Sequence, residues 1–144
     1  MKIPMKVDYG VRALVELALH CDDGHTHTQT SAIAYNQGIP EAYLDQLMTS
    51  LNKFGFVTSR RGPQGGHALA MDPKDINLNM VMQSLDSSNS PLDCLINPHD
   101  CALSHTCAQQ EVWKTVEEAI RDVLSNITVA ELAQRQSSLA GLSA

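Results

Sequence analysis

The sequence predicts a mostly α-helical fold with a small β-hairpin, and two patterns support that prediction. Apolar residues recur at helical spacing in several separate segments, and two short strand-like runs flank a turn rich in glycine. Three cysteines, Cys94, Cys101 and Cys107, lie within fourteen residues just before a long amphipathic segment. With 144 residues the chain can form one domain with a real hydrophobic core, or a compact domain with an appendage.

The first third of the chain has the pattern of two helices. Apolar residues over 5–20 recur at helical spacing and predict an amphipathic helix. Thr30 or Ser31 suits the N-cap of a short helix over 32–36, because a hydroxyl at that place can accept from a free backbone N–H. Gly38 then ends this helix.

A further helix begins at Pro40 and forms a helix-turn-helix pattern with the short helix before it. Its inward stripe is apolar and its outer face is polar. On that face a glutamine can hydrogen-bond adenine, and an aspartate can accept from cytosine. An ordinary helical hairpin with a solvated face explains this stretch equally well. The candidate base-reading residues are Ala42, Tyr43, Asp45, Gln46, Thr49 and Lys53.

A β-hairpin follows directly, with strand-like runs over 56–59 and 67–70 around a Gly/Pro turn. This is the position of a wing in a winged helix-turn-helix domain. Arginine at its tip can enter a narrow minor groove, and glycine lets the backbone approach the sugar-phosphate closely. On most hairpins an arginine pair is merely solvated, but the position after the reader helix favours a contact. The candidate DNA-binding residues of the wing are Arg60, Arg61, Gly65, Gly66 and His67.

The second half of the chain predicts a short helix over 76–85 and a long amphipathic helix over 108–125. Little chain remains to cover the apolar stripe of the long helix. A symmetric partner helix is its simplest cover, so we expect a homodimer. The expected division is a winged helix-turn-helix DNA-binding domain at 1–85, a linker and cysteine-rich loop at 86–107, a dimerisation helix with a C-terminal segment at 108–133, and a disordered tail at 134–144.

The net charge of −6 is distributed unevenly along the chain. Residues 76–144 carry three Lys/Arg against eight Asp/Glu, whereas residues 1–75 carry seven against eight. The acidic half need not face DNA, and the modest basic surplus at the wing predicts salt-sensitive binding with few phosphate contacts. No apolar run approaches membrane-spanning length, and charged residues interrupt those of 1–20, so we expect a cytoplasmic protein without a signal peptide. The sequence contains no recognisable nucleophile–base pair and no phosphate-binding glycine loop, so we do not expect an enzyme.

The clustered cysteines predict a metal or redox centre. In a reducing compartment, cysteines serve more often as metal ligands or redox thiols than as disulfides. Three thiolates this close can hold one soft metal centre. His99 and His105 keep a zinc site of three cysteines and one histidine open, and metal-free thiols that form a reversible disulfide are a third alternative. Cys21 stands apart and is expected to be a small buried hydrophobe.

Five segments in this order resemble the Rrf-two (Rrf2) family of winged-helix transcription regulators, and the resemblance spans residues 1–133. They are DYGVRAL at 8–14, AYLDQL at 42–47, RGPQGGHAL at 61–69, the cysteine triplet, and NITVAEL at 126–132. The best-known branches of that family are iron–sulfur regulators of the IscR type and nitric-oxide-sensitive repressors of the NsrR type.

The resemblance implies a homodimeric repressor that binds palindromic double-stranded DNA under the control of an iron–sulfur cluster sensing nitric oxide, redox state or iron supply. The three clustered cysteines would hold a 2Fe–2S or 4Fe–4S cluster. IscR-type members place a histidine where this chain has Gln110, a poor iron ligand. NsrR-type members can use an acidic residue from the other subunit, and Asp8 stands at the matching position. Its alternative role is an i,i+4 pair with Arg12.

Other ligands and functions remain open at this level. His99 and His105 are local alternatives for the fourth ligand. A regulator of the same fold that contains zinc or responds through its thiols alone fits the same residues. A redox or electron-transfer iron–sulfur protein is a further alternative, but it gives the helix-turn-helix and wing no role.

Overall fold

The computed structural model describes residues 2–21 and 26–143. Helices and one antiparallel hairpin form the regular structure of these residues, which confirms the predicted fold class, mostly α with a hairpin wing. In chain order the elements are α1 (Met5–Leu19), α2 (Thr30–Gln37), α3 (Glu41–Lys53), β1 (Val57–Arg60), β2 (Gly66–Leu69), α4 (Leu78–Leu85), α5 (Asp93–Ile96), α6 (Ala108–Ser125) and α7 (Val129–Ser143), with 3-10 turns at Pro73–Asp75 and Pro98–Asp100. None of the helices described is long and apolar enough to cross a lipid bilayer.

Helix α1 forms the middle of the core and packs against α2, α3, α4 and α7. Its inward residues Ala13 and Leu14 are fully buried, as are Leu44 of α3 and Val81 of α4. Full burial of a leucine side chain contributes roughly 1.5–3 kcal/mol relative to leaving it exposed. These contacts fix how α2 and α3 stand on α1.

Gly38 and Pro40 set the turn between α2 and α3. Gly38 follows the last residue of α2 and has φ 64°, a left-handed conformation that favours glycine. Pro40 immediately precedes α3. The start of α2 differs from the prediction, because the helix already includes Thr30 and its N-cap is Gln29. The Thr30 hydroxyl does not cap the helix because it contacts His67 of the hairpin.

In the hairpin, each strand lies one residue nearer the turn than the predicted runs, and the register pairs Val57 with Leu69 and Arg60 with Gly66. Thr28 forms an additional antiparallel bridge to His67. The two residues exchange backbone hydrogen bonds of 2.8 Å in both directions. The segment before α2 therefore lies beside β2 like a third strand, and it ties the hairpin to the helices.

Helix α7 replaces the disordered tail that the sequence predicts at 134–144, because the helix continues to the end of the described residues. Its first residue, Val129, is fully buried in the core. Thr128 and Glu131 form a capping box: Thr128 Oγ1 accepts from the Glu131 N–H at 3.2 Å, and the Glu131 carboxylate accepts from the Thr128 N–H at 2.8 Å. Although residues 134–143 are mostly small and polar, they continue a helix whose first turn is fixed by the buried Val129 and the capping box.

Helix α6 spans the predicted residues and has no buried side chain. On it, Val112 is 59% exposed and Val123 is 58% exposed. Its C-terminal end packs on the core through Leu124, and α6 contacts α4. The apolar stripe of the long helix is therefore open in the single chain.

Candidate nucleic-acid interface and cysteine loop

Helix α3 turns an apolar stripe inward and a polar face outward, as the helix-turn-helix prediction requires. Tyr43 differs from the other candidates on this helix because it is half-buried, with its ring edge-on against Tyr9 at 5.6 Å between ring centres. The buried residues are Leu44, Leu47, Met48 and Leu51. The exposed candidate readers are Ala42, Asp45, Gln46, Thr49 and Lys53. The outward face can therefore meet base edges without rearrangement of the core.

A groove of about 390 Å³ opens between the wing and the first residues of α2 and α3. Two exposed arginines, Arg60 and Arg61, and two acids, Glu41 and Asp45, line it. The groove brings together the predicted residues Asp45, Arg60, Arg61, Gly65, Gly66 and His67. Gln46 and Tyr43 line a separate depression, which Lys6 near the N-terminus of α1 also lines. The candidate DNA-binding residues thus form two neighbouring groups.

The packing of the fold itself requires glycine at the two candidate positions of the wing, Gly65 and Gly66. A Cβ on Gly66, whose φ is 135°, would lie 2.4 Å from the Thr28 carbonyl oxygen. A Cβ on Gly65 would lie 2.2 Å from the carbonyl oxygen of Arg60. Both distances are far inside van der Waals contact with backbone, so neither position tolerates a side chain. The close packing of the wing accounts for both glycines without a contribution from DNA.

His67 lies half-buried in the groove, and both of its ring nitrogens have hydroxyl partners. Its Nε2 is 2.9 Å from Thr30 Oγ1, and its Nδ1 is 2.8 Å from Ser59 Oγ. Burial lowers the pKa of His67 below its ordinary value; Asp45 acts in the opposite direction, and His27 adds to the lowering. The ring is therefore neutral at neutral pH, and it is already engaged within the protein.

Glu16 is a buried carboxylate on α1 and was not among the candidate residues predicted from the sequence. It is 4% exposed, and it accepts hydrogen bonds from Asn36 at 2.7 Å and Gln37 at 2.6 Å. His20 lies 2.9 Å from it. Burial raises the pKa of the Glu16 carboxyl, but the three hydrogen bonds and the charge of His20 outweigh burial and hold the pKa below its usual value. This cluster of hydrogen bonds around Glu16 orients α2 on α1. The signal for it in the sequence is an acidic residue on the apolar face of α1.

The three clustered cysteines lie on three consecutive pieces of structure. Cys94 is in α5, Cys101 follows the 3-10 turn, and Cys107 is the N-cap residue of α6. All three are free thiols of intermediate exposure. Among residues 2–21 and 26–143, no three His, Cys, Asp or Glu side chains are gathered in a geometry that would hold a metal ion.

The donor set of this loop nevertheless fits a soft-metal centre. A cavity of about 400 Å³ is bounded by Cys94, Ser104, His105 and Lys114. The Ser104 hydroxyl is buried there without a hydrogen-bond partner, so it can donate to a group not made of protein. Cys94 borders this cavity, and the free thiols of Cys101 and Cys107 belong to the same loop. Three thiols on one loop are the ligand chemistry of an iron–sulfur cluster or of zinc.

The candidates for the fourth ligand are spread over the molecule. Gln110 donates to the Cys94 carbonyl at 3.5 Å and lines the same cavity as His105. His99 is exposed on the 3-10 turn. On α1, Asp8 accepts from the Arg12 guanidinium at 3.0 and 3.2 Å, which is the alternative role expected for it.

Cys21 departs from expectation. The prediction of a buried hydrophobe is wrong, because this cysteine lies exposed just beyond the last turn of α1. The helical stripe of α1 has already ended at that residue.

The two-helix turn, the exposed polar face of α3 and the adjoining hairpin define a winged-helix protein, an architecture that places one helix in the DNA major groove. The family described as "Rrf2: Iron-dependent Transcriptional regulator" matches residues 3–135. The chain belongs to the Rrf2 family, and it is a DNA-binding transcription regulator and not an enzyme.

Relatives and solved structures agree with this assignment. The HTH-type transcriptional regulator IscR of Yersinia pseudotuberculosis is 35% identical over 139 residues, which are 96% of this chain and 83% of that protein. The structure of T. potens IscR has a TM-score of 0.76 at 33% identity and covers 94% of this chain and 88% of its own. CymR, the global cysteine regulator of B. subtilis, has a TM-score of 0.77 at 31% identity, with coverages of 94% and 98%.

Proposed function

We propose that this protein is a homodimeric repressor that binds a palindromic operator and whose affinity for it is set by an iron–sulfur cluster. The observation that carries the proposal is the loop of three unpaired, half-buried thiols at the start of α6. The description of the family as iron-dependent and the IscR name of the relatives support it.

Cys94, Cys101 and Cys107 would hold the cluster as thiolates. When bound, a cluster supplies a centre that nitric oxide, oxidants or iron shortage can alter or remove. The Lys114 ammonium, which lines the cavity with Cys94, can offset part of the thiolate charge. The Ser104 hydroxyl is placed to donate a hydrogen bond there. These residues are what the chain itself contributes to the sensing site.

For the fourth ligand we favour Asp8 of the second copy. Its carboxylate and the Arg12 guanidinium that it contacts are both nearly half exposed. An exposed pair of this kind contributes at most about 1 kcal/mol, so a stronger ligand interaction can replace it. Asp8 also borders an apolar depression with Ile3, Val11 and Leu124, a face that a second copy can approach. His105 and His99 are the competing ligands, and loss of cluster in Asp8→Ala but not in His105→Ala would separate them.

In the proposed complex, α3 lies in the major groove and the wing lies along the neighbouring minor groove. Asp45, Gln46 and Thr49 are the proposed base readers, because they are exposed on the outer face. Arg60 and Arg61 supply the positive charge at the wing. Ala42, Tyr43 and Lys53 complete the reader face, with Tyr43 restricted by its contact with Tyr9.

The coupling between cluster and DNA runs through the loop. The cysteine loop continues directly into α6, and we propose that the α6 helices of two copies pack together. A cluster that reorders the loop would then change the spacing of the two reader helices, which a palindrome of fixed half-site distance detects. A change of tenfold to a hundredfold in affinity requires only about 1.4–2.8 kcal/mol of coupling.

The test begins with protein purified without oxygen and assayed for iron, acid-labile sulfide and zinc, with a visible spectrum. Operator sequences are then selected from a random duplex pool, and the dissociation constants of cluster-loaded and cluster-free protein are compared. We expect iron with matching sulfide and at least a tenfold difference in affinity. Equal affinities on the selected operator would exclude the cluster as a switch.

A regulator of the same fold without an iron–sulfur cluster is the second candidate. The three thiols are free and partly exposed, and His105 lines the cavity with Cys94, so oxidation or zinc binding suits the same loop. A solved relative, described as the oxidized form of Staphylococcus aureus CymR, has a TM-score of 0.74 at 28% identity and covers 92% of this chain and 96% of its own. Stoichiometric zinc, or failure of cluster reconstitution with no metal bound, would favour this candidate.

A further inference from the structure

We propose that His67 is a positioning residue that fastens the wing to both helices of the DNA reader, and that it does so as an inner member of a four-residue hydrogen-bond chain. The chain joins Asn52 at the end of α3, Ser59 in β1, His67 in β2 and Thr30 at the start of α2. The Asn52 side-chain amide donates to Ser59 Oγ at 3.2 Å. Ser59 Oγ and Thr30 Oγ1 then lie 2.8 and 2.9 Å from the two ring nitrogens.

The chain has a direction. Because Ser59 Oγ accepts from the Asn52 amide, its own proton is available for His67 Nδ1. A neutral ring that accepts at Nδ1 carries its proton on Nε2 and donates it to Thr30 Oγ1. Both ring nitrogens are thereby satisfied, and the ring cannot rotate without breaking two hydrogen bonds. His67 is thus held in one tautomer and one orientation.

The surroundings of the ring keep it neutral. The charged and titratable groups near it are Asp45 and Glu41 from α3, His27 from the segment before α2, and Arg60 and Arg61 from the wing. Burial is the strongest of the influences on His67, and it disfavours the cation. A second proton on Nδ1 would face Ser59 Oγ and force the hydroxyl proton of Ser59 toward solvent.

Backbone contacts reinforce the same attachment. Thr28 and His67 exchange two hydrogen bonds of 2.8 Å, and the Gln29 side chain donates to the Pro63 carbonyl at 3.2 Å. At Gly66, no side chain fits against Thr28. The wing is therefore attached along β2 and at its turn, while its two arginines remain exposed.

This attachment matters for DNA binding because a wing that is already ordered loses less conformational freedom when it meets the groove. Immobilising flexible groups on binding opposes association, and preorganisation removes that penalty. The proposal assigns His67 an effect on affinity through Arg60 and Arg61 rather than through its own contact with DNA. Loss of two hydrogen bonds of ordinary strength corresponds to roughly a tenfold loss of operator affinity.

The experiment compares His67→Phe, Ser59→Ala and the double variant with wild type, in operator binding and in amide hydrogen exchange of the DNA-free protein. We expect each single variant to bind the operator about tenfold more weakly and the double variant to bind no more weakly than His67→Phe alone. Exchange at the wing amides should accelerate in both single variants, while the amides of α1 keep their protection. Thr58→Ala is the matched control, since Thr58 is an exposed hydroxyl on the same strand whose side chain points to the opposite face.

Two results would overturn the proposal. Weaker binding by His67→Phe with unchanged wing exchange would mean that the ring contacts DNA directly. Additive losses in the double variant would mean that Ser59 and His67 act separately. The exposed Ser59→Ala variant leaves the core intact, so the exchange measurement remains decisive even if His67→Phe unfolds.

Discussion

The DNA reader and the cysteine region differ in how much of their structure one chain supplies. In the reader, Leu44 and Leu51 are fully buried, and side-chain hydrogen bonds join its helices to one another and to the wing. In the cysteine region, α6 buries no residue, and the three thiols before it have no partner. The reader is complete within the chain, whereas the cysteine region leaves the apolar face of α6 and three thiols open. The proposed sensing site thus lies in the part of the molecule that is least packed within one chain.

The sharpest way to test this contrast is to remove a thiol. Cys101→Ser should abolish cluster binding, so that iron and the visible absorption fall below about a tenth of wild type, because a serine hydroxyl is a poor ligand for iron. The thermal unfolding midpoint of the cluster-free protein should stay unchanged, because Cys101 is absent from the core. Cys21→Ser is the matched control, and iron loss in that variant as well would contradict the assignment of the loop.

The second test introduces charge on the open face of α6. Val112→Glu combined with Val123→Glu should convert a dimer to a monomer, and binding to a palindromic duplex should weaken by at least about a hundredfold, because the buried stripe of the interface then carries two charges. Sedimentation gives the mass, and titration with a fluorescent duplex gives the affinity. Leu142→Glu is the control, since Leu142 is 79% exposed on α7. A dimer that survives the double change would place the interface elsewhere.

A third test concerns the completeness of the reader. Glu16→Gln should lower the free energy of unfolding by about 1–3 kcal/mol, because the buried acceptor of three hydrogen bonds loses its charge. The folded carboxyl has a lowered pKa, so its stabilisation is present above the unfolded pKa and is lost as pH falls through the folded pKa. Urea unfolding of wild type should therefore show an acid-side loss that Glu16→Gln lacks. Parallel pH profiles for the two proteins would show that the carboxylate does not carry this stability.

A smaller effect is expected at the outer face of α3. Gln46→Ala should relax the preference for one base pair by about 1–3 kcal/mol and leave the other positions of the operator unaffected, because a side chain that reads a base edge acts locally. Competition with single-base operator variants measures this. If every position weakens equally, Gln46 contacts phosphate and does not read a base.

The smallest effect is expected at the wing tip. Arg61→Ala should weaken binding to all duplexes alike and reduce the slope of log affinity against log salt by about 1, because one phosphate contact is lost. Affinities at several salt concentrations, on operator and on random duplex, give both quantities. A selective loss on the operator alone would instead assign base reading to the wing.

The elements that could be predicted were mainly those in which apolar residues recur at regular spacing. The stripe of α3 and the boundaries of α6 follow directly from apolar periodicity, and the hairpin follows from its turn. The predictions failed where the local structure depends on one contact between residues far apart in the sequence. Val129 is buried in the core, and Glu16 accepts hydrogen bonds from Asn36 and Gln37, which lie 20 and 21 positions further along the chain. No local pattern identifies the partners in these contacts.

The candidate site shows the same division. The cysteine triplet is evident from spacing, and the arginines of the wing from their position. The hydrogen bond between Thr30 and His67 joins residues 37 positions apart, and no periodicity in the sequence predicts it. The sequence patterns and the family resemblance indicated a candidate DNA-binding surface, but they could not indicate which of its side chains form hydrogen bonds within the protein.

The way α6 is attached has a mechanical consequence. Just after the helix ends, the chain returns to the core: Asn77 and Thr128 form a bridge, and the Leu78 N–H donates to the Ile127 carbonyl at 3.0 Å. The opposite end begins at Cys107, and 18 residues of α-helix make a rod of about 27 Å. Helix α6 can therefore pivot about its C-terminal end, which is attached to the core, when its N-terminal end at Cys107 moves. A displacement of about 2 Å at the N-terminal end rotates a rod of that length by about 4°.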